Sequence, residues 1–240
     1  MHPIEQHMIT LGNKTETEFL MRFFKTAPGE YGEGDCFLGI RVPKTRALVK
    51  KYRVDANVDD VRELLDSKWH EVRLIGFLLL IEIYNSYKKR KDLANQRAII
   101  EFYLSVIDRG NNWDLVDLVA PKILGDWLLD NPGEYDMLYN LAEMDGKLWH
   151  QRVAIVSTWT LIRSGQYDAA LKISKRYLSH KHDLIHKATG WMLREIGKRG
   201  GMNELLQFLD SYTTIMPRTM LRYAIELFPK DLRLYYLNLK

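Results

Sequence analysis

Apolar residues recur at three- and four-residue spacing along most of the chain, which is the period of an amphipathic helix. The clearest stretches are "WHEVRLIGFLLLIEIYNSY" (69–87), "LWHQRVAIVSTWTLIRSG" (148–165) and "DLIHKATGWMLREIGKRG" (183–200). The last two close on Gly165 and Gly200, residues suited to left-handed helix caps. Proline, glycine, asparagine and aspartate punctuate between helices, as in "FKTAPGEYGEGD", "LDNPGE" and "IMPRT". No alternating run predicts a strand. The one long irregular segment, Ala27 to Gly39, leads into "VPKTRALVKKY", a helix with Pro43 in its first turn.

The helical pattern also repeats. "HEVRLIG", "NWDLVDL", "HQRVAIV", "IHKATGW" and "MPRTMLR" superpose on Arg73, Asp114, Arg152, Lys187 and Arg218, at successive intervals of 41, 38, 35 and 31 residues by subtraction. Helix-pair solenoids of the HEAT and armadillo kind have a period of about 40 residues. The expected fold is therefore all-α, a curved α-solenoid of HEAT-like helix pairs running over 1–240 as a single domain. In such an array equivalent positions line up along one face. The four cations would form a stripe near helix N-termini, where backbone dipoles also favour phosphate.

Asp114 breaks that stripe, with Trp113 beside it and Asp117 one turn on. A carboxylate among phosphate contacts weakens binding, so the question is which positive charge Asp114 or Asp117 faces. Two readings are open: a functional pair, or aspartates that cap and balance a helix start while Trp113 fills a seam between repeats.

Composition narrows the classes. With 46% hydrophobic and 28% charged residues the chain can bury a core. Its longest apolar run, "IGFLLLIEIY", is interrupted by Glu82 and is far short of the ~20 residues a bilayer crossing needs. The start, "MHPIEQHMIT", lacks the features of a secretory signal, and a single cysteine, Cys36, excludes an internal disulfide. The expectation is a cytoplasmic monomer, nucleoid-associated when on DNA. Charge is asymmetric: residues 1–146 carry 19 Lys+Arg against 24 Asp+Glu (−5), and residues 147–240 carry 16 against 7 (+9). A basic half suits a polyanion such as a nucleic-acid backbone.

Five segments in order, "FLGIRVPKTR", "NNWDLVDLVAPKILGDWL", "LWHQRVAIV", "HKATGWMLRE" and "MPRTMLRYAIE", resemble the AlkD-type DNA alkylation repair proteins, HEAT-like DNA glycosylases, over roughly Phe19 to Phe228. The resemblance implies duplex DNA with alkylated purines as partner, a basic concave DNA-binding face, and base excision of cationic N3- and N7-alkyl adducts. It implies no cofactor, metal or obligate protein partner. On the matching positions it assigns Trp113, Asp117 and Trp191 to the catalytic site, Arg152 and Arg194 to phosphates, and, more weakly, Phe23 of "MRFFK" to a place near the lesion. Lys187 and Arg218 join the DNA contacts through the repeat superposition. An ionised Asp117 would stabilise an oxocarbenium-like sugar and orient water, with the two tryptophans flanking it.

Other residues have plainer readings. His182 and His186, four apart with His180 nearby, have metal-ligand spacing, but no fourth ligand accompanies them, and they read as basic surface. "YKKRKD" reads as a solvated turn. Arg41, Lys44 and Arg46 form either a phosphate site or a rim around packed Phe37, Leu38 and Ile40. Trp69, Trp127, Trp149 and Trp159 are assigned to core and seams. Two other functions compete: a non-catalytic DNA-binding relative, which needs the cations but not Asp117, and a protein-interaction scaffold, which needs neither paired tryptophans nor a basic half.

Overall fold

The computed structural model describes residues 1–239. Among them the regular structure is helical, apart from one isolated bridge between Cys36 and Trp69. No described helix is long and apolar enough to cross a membrane. Contacts group the chain into two compact units, Met1–Leu115 and Val116–Lys240.

The first unit contains α1 (Pro3–Thr10), α2 (Lys14–Phe23), α3 (Val42–Tyr52), α4 (Val58–Leu65), α5 (His70–Lys89) and α6 (Leu93–Ser105). It ends in the first residues of α7 (Trp113–Val119), inside which the unit boundary falls. Helix α5 is the centre, with α1, α3, α4 and α6 packed on it. A helix surrounded on several sides must be apolar all round, and the run from Val72 to Ile81 is buried at every position, including the charged Arg73. Helix α4 starts with a reciprocal capping box between Asn57 and Asp60. Helix α2 buries none of its residues.

The second unit continues α7 into a π turn at Pro121–Gly125, followed by α8 (Asp126–Asp130), α9 (Asp136–Ala142), α10 (Leu148–Arg163), α11 (Asp168–Arg176), α12 (Asp183–Lys198), α13 (Met202–Tyr212), α14 (Arg218–Ala224) and α15 (Lys230–Asn238). Pro121 has no N–H to continue the helix ladder, and the Gly125 N–H reaches back five residues to the Ala120 carbonyl at 2.9 Å. Successive helices pack on one another, α9 and α11 on α10, and α10, α11, α13 and α14 on α12, as expected of helix-pair repeats. At Gly190 a side chain would come within 2.4 Å of the Met220 carbonyl, so glycine is what lets α12 and α14 approach there. Gly165 and Gly200 take positive φ as expected for caps.

The irregular segment before α3 is held from one side. Glu71, 2% exposed, accepts hydrogen bonds from the backbone N–H groups of Leu38 (2.9 Å), Gly39 (2.9 Å) and Ile40 (3.0 Å). Gly39 sits at φ +81°, and a side chain there would meet the Asn13 carbonyl at 2.1 Å. Phe37, Leu38 and Ile40 are thereby packed into the core, and Arg41 turns outward to a bidentate pair with Glu16 (2.8 and 3.1 Å). Glu71→Ala leaves three amide donors without their acceptor and should cost on the order of 3 kcal/mol. Urea denaturation measures this; a loss below about 0.5 kcal/mol contradicts the anchoring role.

Candidate functional site

The first unit contains a buried ionic cluster built from three segments. Asp35 comes from the irregular segment, His70 and Arg73 from the first turn of α5, and Asn111, Asn112 and Asp114 from the entry to α7. His70 Nδ1 lies 2.7 Å from Asp35 Oδ2, and its Nε2 lies 2.9 Å from Asp114 Oδ2. Arg73 Nη2 donates to Asp35 Oδ1 at 2.6 Å and to Asn111 Oδ1 at 2.9 Å, while Nη1 donates to the carbonyls of Ser67 and Lys68. Asn112 Nδ2 donates to Asp35 Oδ2 at 3.4 Å.

Both ring nitrogens of His70 face carboxylates, which only accept when ionised, so the ring must donate twice and is an imidazolium. Burial by itself would lower its pKa. The charges and hydrogen bonds of Asp114 and Asp35 outweigh that and raise it to about 9. Burial likewise pushes Asp35 upward, and the hydrogen bonds and charges of His70 and Arg73 hold its carboxyl below the usual carboxylate value. Asp114 is 8% exposed, and its Oδ1 has no hydrogen-bond partner among the described residues, so His70 is what compensates this carboxylate.

Trp113 stands at the edge of that cluster. Its ring stacks on Phe24 with centroids 5.4 Å apart, and Phe24 stacks on Phe37 (5.1 Å) and leans on His70 (5.0 Å). The His70 ring stacks in turn on Phe37 at 4.4 Å. Phe23, 54% exposed, meets Trp113 at an angle of 65° with centroids 6.0 Å apart. Phe23 therefore sits beside Trp113, on the helix that buries nothing.

In the second unit Asp117 is held by Arg152 of α10. Arg152 Nε donates to Asp117 Oδ1 at 2.9 Å and Nη2 to Oδ2 at 2.7 Å, while Nη1 donates to the Leu184 carbonyl at 2.6 Å. The side chains are 6% and 17% exposed for Arg152 and Asp117. Arg152, expected at the phosphate backbone, is buried with its guanidinium directed to a carboxylate and a carbonyl. Arg73 is buried in the same manner, so two of the four cations expected in the stripe serve internal carboxylates. Asp114 faces His70, and Asp117 faces Arg152.

The remaining candidates are nearer the surface. Trp191 is half-buried on α12. On the same helix Lys187 pairs with Asp183 at 2.7 Å, and Arg194 pairs with Glu226 of the segment after α14. Arg218, exposed at the start of α14, donates to the Leu237 carbonyl at 2.8 Å. The three histidines of "SHKHDLIH" make local hydrogen bonds: His180 with Gln151, His182 as the N-cap acceptor for Leu184, and His186 with the His180 carbonyl. No described group of His, Cys, Asp and Glu could hold a metal ion. A cleft of about 420 Å³ beside His180 and His182 is also lined by Arg176, Lys181 and Asp145. Of the four other tryptophans only Trp127 is core; Trp69, Trp149 and Trp159 are half-buried. Sequence reasoning missed Asp35 and His70, whose signal was an acidic residue in a long irregular segment and a histidine opening a buried helix.

Comparison with known proteins adds to this geometry. A family described as "DNA alkylation repair enzyme" matches residues 4–228, a span that crosses both units. Among curated proteins none matches the chain in sequence. A solved structure described as "Predicted DNA alkylation repair enzyme from Enterococcus faecalis" shares the fold, with TM-score 0.69 and 17% identity over 91% of this chain and 97% of that one.

The buried imidazolium makes stability depend on pH in a defined direction. Unfolded histidine releases its proton near pH 6.5, whereas folded His70 keeps it to about pH 9. The stabilisation is therefore complete below about pH 6.5 and is lost as pH rises through about 9. Urea midpoints should fall between about pH 6 and about pH 10, and His70→Gln should remove the His70 share of that fall. An equal fall in both proteins contradicts the assignment.

Proposed function

The chain belongs to the DNA alkylation repair enzyme family, and from that premise we propose that it is a DNA glycosylase acting in base excision repair on alkylated purines in duplex DNA. The observation that carries this reading is the Asp117–Arg152 pair: a carboxylate held through both oxygens by a guanidinium that is itself buried, while the carboxylate stays partly open to solvent.

Hydrolysis breaks the bond between C1′ and the purine nitrogen, and the electron pair leaves with the base. A purine alkylated at N3 or N7 carries a positive charge, so it departs as a neutral molecule and needs no strong general acid. Charge then develops on the sugar as an oxocarbenium ion. An ionised carboxylate offsets it and orients the water that adds at C1′ and gives up a proton. In this proposal Asp117 does that work. Arg152 is a positioning residue that fixes the carboxylate through both of its oxygens. Trp113 and Trp191 are each assigned the role of offering an electron-rich ring face to the cationic sugar. A ring stacked against Phe24, as Trp113 is, loses little freedom when a substrate meets its outer face.

Lys187, Arg194 and Arg218 are proposed as contacts to the DNA backbone. The first two stand in surface ion pairs, Lys187 with Asp183 and Arg194 with Glu226. Exposed pairs are worth about 0–1 kcal/mol, so a phosphate can replace either carboxylate at small cost. The basic composition of residues 147–240 supports the same reading.

Asp117→Asn should lower single-turnover release of 7-methylguanine from duplex DNA by a factor on the order of a hundred or more, with duplex affinity within about twofold of wild type. Equal release by both proteins contradicts the catalytic assignment. No release by either, with duplex binding intact, favours a non-catalytic DNA-binding protein. Arg218→Ala should weaken binding to damaged and undamaged duplexes alike and reduce the slope of log affinity against log salt by about 1. A slope that does not move removes Arg218 from the interface.

A further inference from the structure

We propose that His70, clamped as an imidazolium between Asp35 and Asp114, is a positioning residue that sets the Trp113 ring for excision. This assignment rests on the glycosylase reading for its function, and on the packing of the first unit for its geometry.

The segment "NNWD" is anchored almost residue by residue. Asn111 accepts from Arg73, Asn112 donates to Asp35, and Asp114 accepts from His70. Three of these four residues are thus fixed to one buried cluster, and Trp113 is the one left at its edge. The backbone N–H of Trp113 also donates to Asn112 Oδ1 at 2.9 Å. From the other side, the Trp113 ring rests on Phe24, which contacts the His70 ring. Both the backbone and the ring of Trp113 therefore lead back to His70.

The charge of the imidazole matters as well as its shape. The charged groups facing it are Asp35 from the irregular segment, Asp114 from α7 and Arg73 from its own helix; Glu71 is occupied by the amides of Leu38 to Ile40, and the Cys36 carbonyl accepts the His70 backbone N–H. With His70 protonated, the cluster of Asp35, Asp114, His70 and Arg73 is neutral. Remove that proton and the neutral ring keeps a single N–H for two carboxylates, so either Asp35 or Asp114 loses its histidine donor and the buried cluster is left with a net negative charge. A buried charge of that kind is expensive, and moving the first turn of α7 toward water relieves it. Trp113 moves with that turn.

The test uses the full chain with 5-fluorotryptophan, the Trp113 resonance being identified by Trp113→Phe, together with ¹³C-labelled histidine. The His70 ring should remain protonated up to about pH 9, and the Trp113 fluorine resonance should shift along the same titration. A His70 ring that titrates near the ordinary value of about 6.5, or a Trp113 resonance that ignores its titration, overturns the proposal. Neither readout needs activity, so both stand even if no adduct is released and the glycosylase reading fails. With activity present, His70→Gln should slow single-turnover excision on the order of tenfold while duplex affinity changes less than about twofold. His70→Gln combined with Asp114→Asn removes the uncompensated charge and should recover part of that loss and of the fold. A double variant no better than the single one shows that ring shape alone matters and overturns the charge argument.

Discussion

The double ion pair of His70 with Asp35 and Asp114 is the constraint on which the first unit depends. One imidazolium, 2% exposed, satisfies carboxylates from two segments that are far apart in sequence, and Arg73 closes the set from one turn along the same helix. Compared with apolar side chains of the same volume, buried ions of this kind add little net stability, because desolvation consumes much of the attraction. They do specify an arrangement: any other placement of Asp35 or of the α7 entry leaves a charge unpaired in the interior. Glu71, the next residue after His70, performs the same service for the Leu38–Ile40 backbone by accepting three amide hydrogen bonds. Three of the first four residues of α5 are therefore occupied with holding loops.

The second unit repeats the device in simpler form. Arg152 enters from α10, and its guanidinium bridges Asp117 on α7 to the Leu184 carbonyl at the start of α12. A helix only seven residues long has little stability of its own. Asp114, in the first unit, is held by the His70 cluster, and Asp117, in the second, by Arg152. A catalytic carboxylate benefits from such fixation, since reorganisation at the moment of charge development is avoided. This links the packing of two buried cations to the proposed chemistry.

Much of this was legible in the sequence. The apolar spacing identifies α5, α10 and α12 nearly to the residue, because long amphipathic and fully buried helices leave a strong period. The break in the pattern at Asp114 correctly raised the question of an opposing positive charge. The period could not say which face of a helix each cation occupies. Arg73 and Arg152 superpose on Lys187 and Arg218, yet the first two are buried and Arg218 is exposed. The pairing of Asp35 with His70 could not be read for a different reason: it joins an irregular segment without periodicity to a helix start 35 residues on. Short-range patterns carry no information about such pairings.

The central claim is that the chain hydrolyses the glycosidic bond of purines that already carry charge, with a carboxylate and aromatic faces rather than a strong general acid. The most direct measurement is wild-type single-turnover release, without added metal, of cationic 3-methyladenine and 7-methylguanine compared with a neutral ethenoadenine in the same duplex context. The account predicts that both cationic bases are released and that the neutral one is slower by a factor on the order of a hundred. Equal rates for charged and neutral bases, or release of the neutral base alone, would contradict it.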